Sequence, residues 1–154
     1  MLKEALKRFG VTHNDLLTYY EYECSNNDPS SCSYLGIEYL NLAHFYESDE
    51  IQINYTRVAS LFEKGCNLND YYGCFFLGYM HYKGKYLDQN IDETQRLFKK
   101  SCDRNNGSGC SYLALIHLDS KTTEENRDQT ISLLKKSCEL KSMHGCALYK
   151  SYKK

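Results

Sequence analysis

Apolar positions in this chain recur at helical spacing in short blocks, and each block runs into a cysteine. Ile91, Thr94, Leu97, Phe98 and Cys102 share one helical face, as do Tyr55, Val58, Leu61, Phe62 and Cys66, and polar residues fill the opposite side. Asn54, Asn90 and Asn126 each stand twelve residues before such a cysteine, and Glu93 and Gln129 follow the last two by three residues, the spacing of a capping box. These signals predict a leading helix at 54–67, 90–104 and 126–140. Four residues past each cysteine stand Asp28, Asp70, Asn106 and Ser142, all good N-caps, with Pro29 at the first helical position. They predict a following helix at 28–40, 70–83, 107–119 and 143–153. Each following helix carries a second cysteine, and then Leu35-Gly36, Leu77-Gly78 or Leu113-Ala114, a large apolar residue beside a small one where two helices approach closely.

The unit therefore repeats. Cys66, Cys102 and Cys138 are 36 residues apart, as are Cys74, Cys110 and Cys146, while Cys24 and Cys32 keep the same gap of seven but stand 42 residues earlier. Six extra residues fall in Asn41 to Ile53, where they lengthen a helix through Tyr46 or swell a loop. Thr12 is placed to cap a first leading helix with Leu16, Leu17 and Tyr20, and Leu2, Ala5, Leu6 and Phe9 predict a short helix ended by Gly10. Gly84 and Asp119 to Glu125 read as loops. In the last unit Lys150 takes the place of Gly or Ala, and Lys153 and Lys154 follow, as at the polar end of a repeat array. The expected fold is all-α: a solenoid of antiparallel helical hairpins forming one domain over 1–154. It divides into a degenerate hairpin at 1–23, repeats at 24–65, 66–101 and 102–137, and a capping part-repeat at 138–154.

Eight cysteines in even pairs read as a disulfide framework rather than as a cytosolic thiol set. Equivalent cysteines of successive repeats are two helices apart, roughly 16–20 Å, whereas a bridge needs Cα atoms within about 7 Å. The pairs expected are Cys24–Cys32, Cys66–Cys74, Cys102–Cys110 and Cys138–Cys146. Zinc is the rival use of thiolates, with His144 near Cys146, but seven intervening residues is not a zinc spacing; no metal and no cofactor is expected.

Charge changes the picture by exclusion. The formal net charge is −1 and 25% of residues are charged, which argues against nucleic acid or an anionic membrane surface as partner. No apolar run approaches the ~20 residues of a membrane span. Residues 1–9 lack the apolar core of a secretion signal, yet the cysteine pairs call for a secreted or periplasmic, oxidising setting.

Hairpins of this length, with Leu-Gly early in one helix and an apolar pair late in the other, resemble Sel-like repeats, relatives of the tetratricopeptide repeat. The Cys-x7-Cys phrase, as in Cys66-Asn-Leu-Asn-Asp-Tyr-Tyr-Gly-Cys74, is similar to the Helicobacter cysteine-rich protein family over residues 12 to 150. The resemblance implies an exported, oxidised protein that works through protein–protein contact. It also implies an alternative, β-lactam binding or weak β-lactamase activity. Ser-x-x-Lys occurs at Ser132–Lys135 and Ser151–Lys154, but without the Ser-Asp-Asn and Lys-Thr-Gly elements that serine β-lactamases combine with it.

Aromatic residues offer the strongest candidate surface. Fifteen tyrosines accompany six phenylalanines, and Phe75, Tyr79 and Tyr82 share one face of a following helix, with Tyr112 aligned in the next repeat. These four are the candidate binding residues for a protein or peptide in the concave groove of the solenoid, since tyrosine serves apolar and hydrogen-bonding contacts at once. His81 and His117, with Tyr39 in the first unit, occupy one register position and read as hydrogen-bonded members of the packed stripe, the alternative being a polar strip on a binding groove. The sequons Asn54-Tyr55-Thr56 and Asn106-Gly107-Ser108 are better explained by helix capping.

Overall fold

The computed structural model describes residues 10–45, 54–84, 87–119 and 124–153. These form eight helices and no strand: α1 (His13–Ser25), α2 (Pro29–Phe45), α3 (Tyr55–Asn67), α4 (Tyr71–Lys83), α5 (Ile91–Asp103), α6 (Gly107–Asp119), α7 (Glu124–Glu139) and α8 (Met143–Tyr152). Leading and following helices alternate as the periodicity predicts. The contacts fall into two compact units that divide at Gly73 and Cys74.

The caps explain why the helices start where they do. Asn54 and Asn90 accept from the backbone N–H of Arg57 and Glu93. Asp28, Asp70, Asn106 and Ser142 accept from Ser31, Gly73, Gly109 and Gly145 in the same way. Each satisfies a donor that the first helical turn leaves without an intrahelical partner. A complete capping box stands at Thr12, which accepts from the Asp15 N–H while the Asp15 carboxylate accepts from the Thr12 N–H. At Asn90 the reciprocal carboxylate is engaged elsewhere, because Glu93 takes two hydrogen bonds from the Arg96 guanidinium at 2.6 and 2.8 Å.

One expectation is corrected here. Asn126 does not cap α7, which begins at Glu124 and holds Asn126 inside its first turn. The extra residues of the long repeat go partly into helix: α2 has 17 residues against 13 in α4 and α6. The expected helix at residues 2–9 lies outside the described residues.

Between paired helices the chain turns the same way each time. Asn27, Asn69, Asn105 and Lys141 take φ of 66, 75, 64 and 61°, and the next residue's N–H reaches back five residues: Asp28 to Glu23 O, Asp70 to Gly65 O, Asn106 to Ser101 O and Ser142 to Ser137 O. This is a left-handed helix stop, and the residue that closes it is also the N-cap of the next helix. Asparagine fills three of the four left-handed positions because its short side chain tolerates that conformation.

In the first unit α1 packs on α2 and α2 on α3. Phe62 and Val58 are fully buried, and Gly36 gives Phe62 its seat, since a Cβ there would stand 2.7 Å from the ring. In the second unit α5 packs on α6, α6 on α7, and α8 on both α6 and α7. Its core is Phe98, Leu113 and Ile116. Gly78 takes the part of Gly36, with the Phe98 ring 3.0 Å from its notional Cβ.

Candidate functional site

All eight cysteines are oxidised. Cys24–Cys32, Cys102–Cys110 and Cys138–Cys146 have Cα separations of 4.6, 4.6 and 4.3 Å, and Cys66 and Cys74 are disulfide-bonded as well. Each bridge spans a helix-to-helix turn. It ties the last turn of a leading helix to the first turn of a following one, and so fixes the residues that begin the following helix.

The four candidate aromatic residues begin or line such helices, and the structure brings them together. Phe75, Tyr79 and Tyr82 on α4 and Tyr112 on α6 are half-buried and packed against the core. Tyr112 is the hub, with ring centroids 5.6 Å from Phe75, 5.6 Å from Tyr79, 5.9 Å from Tyr82 and 5.4 Å from Phe98. Its contacts with Tyr79 and Tyr82 are edge-on, near the T-shaped geometry that ring quadrupoles favour. His144 on α8 adds a ring at 5.5 Å. Lys83 extends the cluster outward, its ammonium 5.5 Å from the Tyr79 ring centre and 5.6 Å from that of Tyr82. Burial first, and then the neighbouring phenols of Tyr79 and Tyr82, push the Tyr112 phenol above its ordinary value. It is therefore a neutral hydrogen-bonding group at physiological pH.

A groove of about 750 Å³ lies between α5 and α7 over α6. Arg96, Lys99, Asp103, Asp128 and Ser132 line it together with His117, Leu113 and Leu133. Two of these cations are spent locally, Arg96 on Glu93 at 2.6 Å and Lys99 on Asp103 at 2.7 Å. Ser132 reaches this groove, but Lys135 is 62% exposed and 3.9 Å from Glu139 on its own helix. The Ser-x-x-Lys pair is thus divided between groove and solvent. Lys154 of the other pair lies outside the described residues.

His81 and His117 share a register position and are both half-buried, but their settings differ. The loop after α4 turns back at Gly84, with φ +60°, and puts the Asp88 carbonyl 3.0 Å from His81 Nδ1. His117 lines the groove. No group of three or more metal-ligating side chains exists among the described residues. No helix among them is long and apolar enough to cross a membrane.

Two recurring features escaped the sequence reading. Lys64 donates to the Cys24 carbonyl at 2.7 Å and Lys136 to the Cys102 carbonyl at 3.0 Å, each reaching from a leading helix to the end of the preceding one. A cation at a helix C-terminus meets its exposed carbonyls and its negative dipole end. The recurrence of Lys64, Lys100 and Lys136 at 36-residue steps was the available signal. The second feature is a pair of small residues beside three of the four bridges, Gly65 with Gly73, Ser101 with Gly109 and Ser137 with Gly145. A Cβ on Gly109 would stand 2.8 Å from Ser101 Oγ, and one on Gly145 would overlap Ser137 Oγ.

The family model described as Sel1 repeat matches residues 72–106 and 107–142, so the chain carries Sel1 repeats over that stretch. No curated protein sequence matches the chain. Among solved structures, Helicobacter pylori cysteine rich protein B (HcpB) is similar at a TM-score of 0.62 and 27% identity, over 90% of this chain and 98% of that one. A protective antigen of uropathogenic Escherichia coli with an SLR fold gives 0.73 at 24% identity, over 92% of this chain and 30% of its own. A Sel1 repeat protein from Oxalobacter formigenes gives 0.69 at 14% identity, over 86% and 52%. The chain thus spans about a third of the Escherichia coli antigen's length and about half of the Oxalobacter protein's. These two likenesses speak for the fold.

Proposed function

We propose that this chain is a disulfide-stapled Sel1-repeat scaffold that binds a protein segment on the aromatic face of α4 and α6, and that it works in an extracellular or periplasmic compartment. The observation that carries the reading is the cluster around Tyr112. Four half-buried aromatic rings from two helices meet there, hold apolar surface and phenolic hydroxyls side by side, and end in Lys83. Aromatic residues held in this way are the usual anchors of protein–protein contact, because they offer large area at little cost in side-chain freedom. Localisation rests on the eight bonded cysteines and on the likeness to HcpB along nearly its whole length.

The test starts from a peptide selected against the oxidised chain and measures its affinity for variants. Tyr79→Phe keeps the ring packed on Phe75 and Tyr112 and removes only the hydroxyl. It is expected to weaken binding about tenfold with the melting temperature unchanged, the scale of one hydrogen bond. Tyr79→Ala is expected to cost at least ~2 kcal/mol of binding. Peptides bound equally well by wild type and both variants would place the site elsewhere.

A further inference from the structure

The face that carries the Tyr112 cluster also carries one sign of charge. The following helices α4, α6 and α8 hold a single carboxylate, Asp119, beside Lys83, Lys150 and three histidines. The leading helices α5 and α7 hold seven carboxylates, balanced by six lysines and arginines. Burial thins out acids and bases alike, so it does not by itself account for helices that keep basic side chains and give up nearly every acid.

Most of these basic groups are committed elsewhere or lie apart from the cluster. His81 faces the Asp88 carbonyl at 3.0 Å, His117 lines the groove between α5 and α7, and Lys150 stands six residues beyond His144 on α8. Two remain beside the cluster. His144 is exposed, with its ring 5.5 Å from that of Tyr112. Lys83 makes no ion pair among the described residues, and its ammonium rests over the Tyr79 and Tyr82 rings instead. Neither Asp88 nor Asp119, which closes α6 about two turns past Tyr112, pairs with Lys83 or His144. Glu93, the carboxylate whose charge reaches His81, is held by Arg96.

We infer that the segment bound on the Tyr112 cluster is acidic: an aspartate or glutamate side chain pairs with Lys83, and an adjacent apolar side chain seats against the rings of Phe75, Tyr79 and Tyr112. The inference rests on the reading of this face as a binding site and adds the partner's chemistry to it. The observation that carries it is Lys83, an ammonium whose counter-charge is two ring faces. A ring face is a weaker partner for a cation than a carboxylate, so an arriving acid takes Lys83 without breaking an ion pair. An imidazole N–H of His144 adds a donor on the α8 side of Tyr112.

The same arrangement discriminates. A basic segment brings like charge to Lys83 with no acid in the cluster to offset it, and turning away the wrong partner is as much a part of specificity as attracting the right one. Lys83 is exposed, at the rim of the cluster, and a rim charge governs encounter and choice of partner more than total affinity. The rings supply the grip, and Lys83 sets the sign of what is gripped.

Short peptide libraries blocked at both ends, so that side chains carry the only charges, test this on the oxidised full chain. Each has a central Phe, Tyr or Leu, flanked by Asp and Glu, by Lys and Arg, or by Ser and Gln. The acidic library should be retained at least about fivefold better than the neutral one in low salt, and the advantage should shrink at about 0.5 M salt, where charges are screened within a few ångströms. Lys83→Glu should lose the acidic preference and favour the basic library, a reversal that only a folded chain can show. Lys135→Glu, the same change of net charge on α7, should keep the acidic preference. Equal retention of the acidic and neutral libraries, a preference that survives Lys83→Glu, or one lost equally in Lys135→Glu overturns the inference. If Tyr79→Ala still weakens retention in those cases, the aromatic site stands without its acidic partner. Retention that no variant changes, or no retention of any library, overturns both.

Discussion

Replacing Gly109 by alanine opposes two physical effects whose magnitudes decide the sign. Alanine is the better helix former, and inside a helix the exchange stabilises by up to about 1 kcal/mol. At Gly109 the new Cβ would lie 2.8 Å from Ser101 Oγ, 2.9 Å from Ser101 Cβ and 3.0 Å from the Cys102 backbone nitrogen. The serine can rotate its hydroxyl, but the backbone nitrogen cannot yield without moving α5 away from α6, and the Cys102–Cys110 bridge resists that separation with its Cα atoms 4.6 Å apart. Overpacking of this kind costs about 1–3 kcal/mol. The net expectation is a loss of about 1–2 kcal/mol, or roughly 2–8 °C in melting temperature at this chain length, measured by thermal or urea unfolding without reductant. Ser101→Gly in the same chain removes two of the three close atoms, as Gly65 does at the corresponding position. The double variant should therefore recover part of the loss, with a coupling of about 0.5 kcal/mol or more. A Gly109→Ala protein as stable as wild type, or additive effects in the double variant, would refute the reasoning.

Among the described residues Lys141 is the one non-glycine left-handed position not held by asparagine, with φ +61°, so Lys141→Asn should stabilise by about 0.5–1 kcal/mol, read as a higher urea midpoint. Acid should destabilise. Hydrogen bonds from the Ser31 hydroxyl and N–H lower the Asp28 carboxyl, and those from Arg96 lower Glu93. Groups depressed in the folded state contribute stability above the ordinary carboxylate range and lose it as pH falls through their lowered values. The urea midpoint should thus hold steady from pH 7 to about 5 and fall below about pH 4, less steeply in Asp28→Asn; a profile flat to about pH 2 would contradict this.

The turn between paired helices was legible because one short phrase does several jobs there. Cys, three residues, then Asp, Asn or Ser encodes the bridge and the next cap, and each demand is local, whereas the left-handed stop at Asn27, Asn69, Asn105 and Lys141 was not anticipated. The start of α7 was misplaced because Asn126 and Gln129 have capping-box spacing, whereas the helix already runs from Glu124 and holds Asn126 within its first turn. The lysine contacts were invisible for a different reason. Lys64 and Lys136 look like solvent-facing residues on their own helices, and only the preceding repeat supplies the carbonyls they meet. The aromatic stripe of Phe75, Tyr79 and Tyr82 could be seen as a helical face, but the central place of Tyr112 depends on how α6 crosses α4, which no local pattern records.

The positions of the bridges connect the staples to the proposed binding face. Phe75 follows Cys74 directly, Tyr112 stands two residues after Cys110, and His144 two before Cys146. Each ring is thus carried within the first two turns of a following helix, next to the cysteine that a bridge holds. A bridge closing a loop of about nine residues stabilises by roughly 2–3 kcal/mol in the chain-entropy account. It restrains the helix start at which an aromatic anchor would otherwise have to be ordered on binding. Anchors ordered before the partner arrives lose less conformational freedom when it does. A small patch of rings can then bind with useful strength, and the same staples that let a short repeat array fold also hold its contact face ready.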